Sequence, residues 1–372
     1  MTLPSHPKAL GTIRHVFSSA LLSTLGKPNP LQLPARKKVA VILVDGLGVE
    51  QIKQRAGHAP WLNSLLNNST ITHSAFPATT TVNIGSFSTG LLPGDHGLIG
   101  HLVWDRFHDE RMNLLVGWSE RTDPLVWQPH PTIAQQAVEL GIAANVVGAS
   151  EYRNTPYTLA TMRGAQYHAA ESWSDRFSTA LEILSKPEQS ISYIYLPELD
   201  KYGHKNGWTS SGYATMLEDL DALVRSFVSR LPKDCGLIIT ADHGMVETTK
   251  EKQLILDDYL ESSGHTEFYG GDTRAGFVYL DDPSSIDQVV SDLQPVSYAF
   301  DAVSTQSAIA AGWFGPIGHE AKARLPELML LAKSNYTLFH TQYFKARSFE
   351  MISHHGALSP AETRIPLFKF GF

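Results

Sequence analysis

Leu237-Ile238-Ile239-Thr240-Ala241-Asp242-His243-Gly244 is the stretch on which the fold turns. A short apolar run ends in a carboxylate and an imidazole, and the glycine behind them lets the backbone turn sharply away. Short apolar runs that feed polar residues read as buried strands of a parallel sheet. Val39 to Val44 runs in the same way into Asp45, and Ile191 to Leu196 into Asp200. Helical patterns lie between them, at Pro131 to Leu140 and Gly212 to Leu231. Strands alternating with helices predict an α/β fold with a mostly parallel central sheet, helices on both faces, and ligands beyond the carboxyl ends of the strands.

Residues 251–342 read differently. They hold a Gly-rich turn at Gly270 and Gly271, a strand-like Ala275 to Leu280, a helix near Ser285 to Leu293, then Leu328 to Ala332. This predicts a small α+β cap or insertion inside a catalytic domain spanning 36–372, with residues 1–35 as an N-terminal extension.

The chain has 372 residues, 42% hydrophobic and 18% charged, enough for a sizeable core and without the composition of disorder. Its formal charge of −7 and lack of a Lys/Arg cluster argue against a nucleic-acid polymer as partner. A nucleotide or other small phosphate ester stays open, because bound cations supply positive charge locally. The single cysteine, Cys235, heads an apolar run and reads as a buried thiol in a reducing compartment. Residues 1–38 show no signal-peptide pattern and no window has the length of a membrane span. A soluble cytoplasmic protein, not membrane-bound, is expected; oligomeric state is not readable.

Asp200 has His204 four residues on, Asp242 has His243 adjacent, and a later His355-Gly356 precedes Leu358-Ser359-Pro360. Singly, each has a plainer reading: an Asp after a strand caps a helix, and Asp and His at i, i+4 lie on a solvated face. Together, four separated segments offer two sites of three protein ligands each, and carboxylate with imidazole suits zinc, or manganese as second choice. An oxygen shared between the sites is suggested by Phe76-Pro77-Ala78-Thr79-Thr80-Thr81-Val82-Asn83, ahead of a predicted helix from Val82 to Thr89. A threonine there is ordinarily an N-cap. Beside a cation pair it becomes a nucleophile, since metals and the helix dipole favour the negative charge on its oxygen.

Five ordered motifs carry a resemblance. They are Val44-Asp45-Gly46, the Thr80 segment with Gly90-Leu91-Leu92-Pro93-Gly94-Asp95-His96-Gly97, Asp200-Lys201-Tyr202-Gly203-His204, Thr240-Ala241-Asp242-His243-Gly244, and His355-Gly356. The set resembles the nucleotide pyrophosphatase/phosphodiesterase branch of the alkaline phosphatase superfamily over about residues 38–368. The resemblance implies an alkaline-phosphatase-like core holding two divalent ions, zinc by ligand type, with manganese or magnesium as alternatives. It implies Asp45, Thr80, Asp242 and His243 on one ion and Asp200, His204 and His355 on the other. It further implies Thr80 as nucleophile, Asn83 as an amide donor to a phosphoryl oxygen, and Tyr195 as a ring stacked on a nucleobase; a core tyrosine is an equal reading of Tyr195. The eukaryotic members' Lys-Thr-Phe-Pro-Asn is here Thr79-Thr80-Thr81-Val82-Asn83, so Thr79 and Thr81 also stand as candidate nucleophiles.

The implied reaction is hydrolysis of a phosphodiester or pyrophosphate through a phosphothreonine, on a small phosphate ester such as a nucleotide. A phosphomonoesterase needs extra cations for its substrate's charge, and the Thr80 segment has no Lys or Arg, although Lys201, Lys205 and Arg274 could reach in from loops. A phosphonate hydrolase with the same metal site is a further alternative. A dinucleotide-binding fingerprint at Asp45-Gly46-Leu47-Gly48 fails at Gln51. A serine-hydrolase elbow at Ser86-Phe87-Ser88-Thr89-Gly90 fails at Ser86. A purely structural zinc module is disfavoured by the lack of cysteines.

Overall fold

The computed structural model describes residues 3–372. A seven-stranded sheet forms its centre, in the order Ile71–His73, Arg364–Phe370, Cys235–Thr240, Lys38–Val44, Ser190–Leu196, Ala143–Gly148 and Gln166–Ala169. The five strands from Cys235–Thr240 to Gln166–Ala169 pair in parallel, and Arg364–Phe370 is antiparallel to its neighbours. Lys38–Val44 and Cys235–Thr240 are buried along their whole length, which is why they read as unbroken apolar runs.

Alternation along these strands separates the two faces. Tyr193 meets Phe17 of the helix Arg14–Thr24 and Phe87 of the helix Thr80–Thr89. Lys38, which pairs with Ser190 and so faces the other way, donates its ammonium to the Leu184 carbonyl of the helix Trp173–Ser185. Helices therefore cover both faces, as predicted.

Residues 1–35 were expected as an extension, yet Arg14–Thr24 is part of the core. Ile13, Val16, Phe17, Ala20 and Leu21 form one buried stripe at i, i+3, i+4 spacing, and Phe17 stacks on Phe87 at 4.8 Å. The second sheet is antiparallel and six-stranded, in the order Phe300–Ser304, Leu328–Ala332, Ala275–Leu280, Thr266–Gly271, Leu102–Asp105 and Glu110–Asn113. Four of its strands come from the 251–342 stretch and two from residues 102–113. The added pair hydrogen-bonds to the rest through Gly271 and Leu102, a contact across more than 160 residues that local pattern does not reveal.

Candidate active site

Strand register sets the site. Val44 lies opposite Leu196, and Leu43 opposite Thr240, so three central strands end almost flush. Asp45 follows the first directly, Asp242 stands two residues past the third, and Asp200 lies in the first turn of the helix Glu198–Asn206. All three carboxylates are buried. Gly244 serves close approach rather than the expected sharp turn: its φ is not positive, and a Cβ there would collide with the Ala361 carbonyl and sit 2.9 Å from Gly48 Cα.

The three histidines are oriented by backbone carbonyls. Nδ1 of His204 donates to Ser353 O at 2.7 Å, that of His355 to Ala78 O at 2.9 Å, and that of His243 to Gly244 O at 3.2 Å. A carbonyl only accepts, so each neutral ring carries its proton on Nδ1 and turns the Nε2 lone pair to the carboxylates, the arrangement common to metal-binding imidazoles. Nε2 of His243 lies 3.4 Å from both Asp45 Oδ1 and Asp242 Oδ2. That of His204 lies 3.3 Å from Asp200 Oδ2 and 3.2 Å from the Nε2 of His355. Ligand atoms of Asp45, Asp242 and His243 fall within 4.8 Å of one another, and so do those of Asp200, His243 and His355, making His243 common to both groups.

The donor set fits divalent cations. Asp45 Oδ1, Asp200 Oδ1 and Asp242 Oδ2 are buried and have no hydrogen-bond partner, an expensive state for carboxylate oxygens unless a cation meets them. Without cations the acids oppose each other. Burial, then Asp242 and Asp200, push Asp45 well above the usual carboxylate range. Burial also raises Asp242, with Asp200 adding to it. Burial would raise Asp200 as well, but His204, His355 and His243 outweigh it and draw Asp200 below its ordinary value. Burial and the neighbouring His243 hold His355 well below the usual imidazole range, so it presents a free lone pair.

The three adjacent threonines are separated by their partners. Thr79 turns its hydroxyl to Asp272, and Thr81 donates to Gly100 O at 2.7 Å. Thr80, the first residue of its helix, places Oγ1 3.1 Å from the Nε2 of His243 and among the carboxylates. Tyr157, which the sequence did not single out, donates its hydroxyl to the carbonyls of Thr80 and Thr81 at 3.2 and 2.9 Å and anchors this turn.

Asn83 departs from expectation. Its side chain is fully buried, Oδ1 accepts from Ala75 N at 2.6 Å, and Nδ2 donates to Thr79 O at 3.0 Å and Pro77 O at 3.3 Å. The amide is consumed in shaping the 75–80 loop and has nothing left for a phosphoryl oxygen. Arg274 is likewise withdrawn from the site, paired with buried Glu362, and Lys201 is held by Glu151 at 2.7 Å.

A cavity of about 570 Å³ opens beside Thr80, Asp45 and Asp200. Tyr152, Tyr193 and Tyr195 line it, and the Tyr195 hydroxyl donates to Asp45 Oδ2. Tyr195 is thus half-buried between two surroundings, with its hydroxyl fixing a carboxylate and its ring bordering the cavity.

The profile of the type I phosphodiesterase / nucleotide pyrophosphatase family matches residues 39–358. The chain belongs to this family. Among its relatives, ectonucleotide pyrophosphatase/phosphodiesterase family member 3 of Bos taurus is 27% identical over 265 residues, 65% of this chain and 28% of that protein. Family member 5 of Homo sapiens is 24% identical over 68% of this chain and 55% of that protein. The chain spans about a quarter of the length of the member 3 and member 1 relatives it matches. Murine ectonucleotide pyrophosphatase/phosphodiesterase 5 superposes with a TM-score of 0.71 at 17% identity, covering 90% of this chain and 88% of that one. An inactive form of that murine protein, with a threonine replaced by alanine and in complex with AMP, superposes with a TM-score of 0.70 at 17% identity, covering 90% and 87%. This phosphodiesterase-family chain thus has the fold of that neighbour, an α/β core on a mostly parallel sheet. Among its described residues no helix is long and apolar enough to cross a membrane.

Proposed function

We propose that this protein hydrolyses phosphodiester or pyrophosphate bonds of a small phosphate ester, with a nucleotide as the first class to test, through a phosphothreonine at Thr80. The observation that carries the reading is the Thr80 hydroxyl at a helix amino terminus, 3.1 Å from His243, facing three carboxylates that each hold an orphaned oxygen. Asp45, Asp242 and His243, with Thr80, would hold one divalent ion, and Asp200, His204 and His355 the other. Zinc suits these ligands best, with manganese or magnesium as alternatives. Bound there, the ions would offset the acids' charge, lower the hydroxyl's pKa and neutralise charge developing on the phosphoryl group.

Thr80 Oγ attacks phosphorus, the ester or pyrophosphate oxygen leaves in line, and water then hydrolyses the phosphothreonine. The chain's own contribution is placement. Tyr157 and Asn83 hold the Thr80 turn from behind, and the Thr80 helix directs its positive end at the incoming anion. The tyrosine-lined cavity supports an aromatic or nucleoside group on the substrate, with Tyr195 at its border. The buried, lone Cys235, whose thiol burial and Asp234 push up to about 12, is compatible with the cytoplasmic location we favour.

The test is a metal-reconstituted assay with bis(p-nitrophenyl) phosphate, p-nitrophenyl phosphate and p-nitrophenyl thymidine monophosphate, on wild type and Thr80→Ala. Diesters should turn over faster than the monoester, and Thr80→Ala should lose at least a thousandfold in rate with its metal content unchanged. Near-normal turnover by Thr80→Ala refutes the nucleophile, and a faster monoester makes the protein a phosphatase.

A further inference from the structure

The three carboxylates of the site are not held alike. The Tyr195 hydroxyl donates to Asp45 Oδ2, and the Gly46 and His243 amides donate to Asp242 Oδ1 at 3.2 and 3.0 Å. Asp200 accepts from no such donor among the described residues. Its Oδ1 is orphaned, and its Oδ2 lies 3.3 Å from the Nε2 of His204, which in the neutral ring is a lone pair. The place of Asp200 therefore depends on how the helix Glu198–Asn206 begins. That helix has no side-chain cap, since its N-cap residue is Pro197.

Arg176 supplies the missing anchor. Its side chain is buried, and Nη1 donates to Glu198 Oε1 at 2.6 Å and to Tyr195 O at 3.3 Å, Nε to Ala170 O at 2.9 Å, and Nη2 to Glu171 O at 2.7 Å. Glu198 stands two residues before Asp200, and its other oxygen accepts from Trp173 Nε1 at 2.6 Å. One planar group thus ties the strand that carries Tyr195 to the first turn of the helix that carries Asp200. The task suits a guanidinium, whose rigid fork reaches several acceptors at once, whereas an ammonium is a single point of contact. Further along the helix, the Lys201 and Glu151 pair is exposed on both sides and holds it only weakly.

We infer that Arg176 is a positioning residue for Asp200, acting through Glu198, and that ion uptake by the Asp200, His204 and His355 cluster depends on it. None of its hydrogen bonds reaches a proposed metal ligand. The inference rests on the two-ion reading of the site. Groups that orient a ligand without touching the ion change metal affinity by about 10–100-fold.

Calorimetric titration of the metal-free protein with zinc tests this without turnover. Wild type should show two binding events, and Asp200→Asn identifies the one that belongs to its cluster by weakening or abolishing it. Arg176→Lys should weaken that event at least tenfold and leave the other within twofold. Glu198→Gln, at a partly exposed position, turns an NH2 group on Arg176 or Trp173 and should weaken the same event at least threefold. The double variant should lose no more than Arg176→Lys alone, because both changes break one connection. An arginine needed only for folding would lower the melting temperature and shift both events together. If Arg176→Lys does not fold, the selective loss in Glu198→Gln decides. Two events of wild-type affinity in either single variant, equal weakening of both events, or losses that multiply in the double variant overturn the inference. A wild type that takes up no zinc overturns the two-ion reading and the inference with it.

Discussion

Glu362→Gln is the substitution whose consequences the structure specifies most fully. Glu362 and Arg274 are both almost completely buried. Oε1 accepts from Arg274 Nε at 3.0 Å and from Ala357 N at 2.9 Å, while Oε2 accepts from Arg274 Nη2 at 2.9 Å and from the Ser359 hydroxyl. An amide would place an NH2 group against two donors and leave a buried guanidinium without its counter-charge. Breaking a buried pair from one side costs about 3–5 kcal/mol. With an unfolding entropy of about 2.1 cal/mol/K per residue, a chain of this size loses about 4–6 °C in Tm. The damage is also local, because Ala357 is two residues past His355 and its amide is one of the bonds holding that loop. Differential scanning fluorimetry should show the drop, and elemental analysis should show the metal content per chain falling below that of wild type. The pH dependence has a definite sign. Burial raises Glu362, but Arg274 outweighs it and holds the acid below its ordinary 4.5. The pair's stabilisation is therefore present above pH 4.5 and fades as pH falls through the lowered folded value, so the gap between wild type and variant should narrow only in that acid range. A variant within 1 °C of wild type at pH 7 and carrying full metal refutes the role given to the pair.

If Asn83 shapes the loop as its contacts indicate, Asn83→Ala strands the Ala75 amide and costs about 1–3 kcal/mol. Asn83→Asp should be worse, because a carboxylate oxygen would then face the carbonyls of Thr79 and Pro77; an aspartate variant as stable as wild type in urea titration contradicts this. Chelation should lower Tm by about 7 °C at pH 7.5 if two ions were each present at a hundredfold excess over Kd. In the metal-free protein Asp45 and Asp242 have raised folded pKa values, so their contribution is complete below the ordinary 3.8 and is lost as pH rises through those values. The thermal gain on adding zinc should consequently widen from pH 5 to pH 8, and a gain that shrinks over that range would count against the carboxylate cluster as the binding site.

The order of carboxylates and histidines along the chain was legible because each follows an apolar run, and a parallel sheet delivers the ends of its strands to one edge. Burial on both faces is written into the composition of Val39 to Val44 and Leu237 to Thr240, so fold class and site edge needed no coordinates. Tertiary structure alone decided what neighbouring, chemically similar residues do. Thr79, Thr80 and Thr81 are equal as letters and differ only in what stands opposite each hydroxyl: Asp272, His243 and the Gly100 carbonyl. The resemblance to the phosphodiesterase family is what implied a substrate donor at Asn83, whereas the carbonyls that consume its amide come from a loop path that no motif encodes. The same holds for the helix Arg14–Thr24, the Leu102–Asn113 strand pair and Tyr157. Sequence pattern records which residues must leave water, but the partner each finds there depends on contacts between segments tens to hundreds of residues apart.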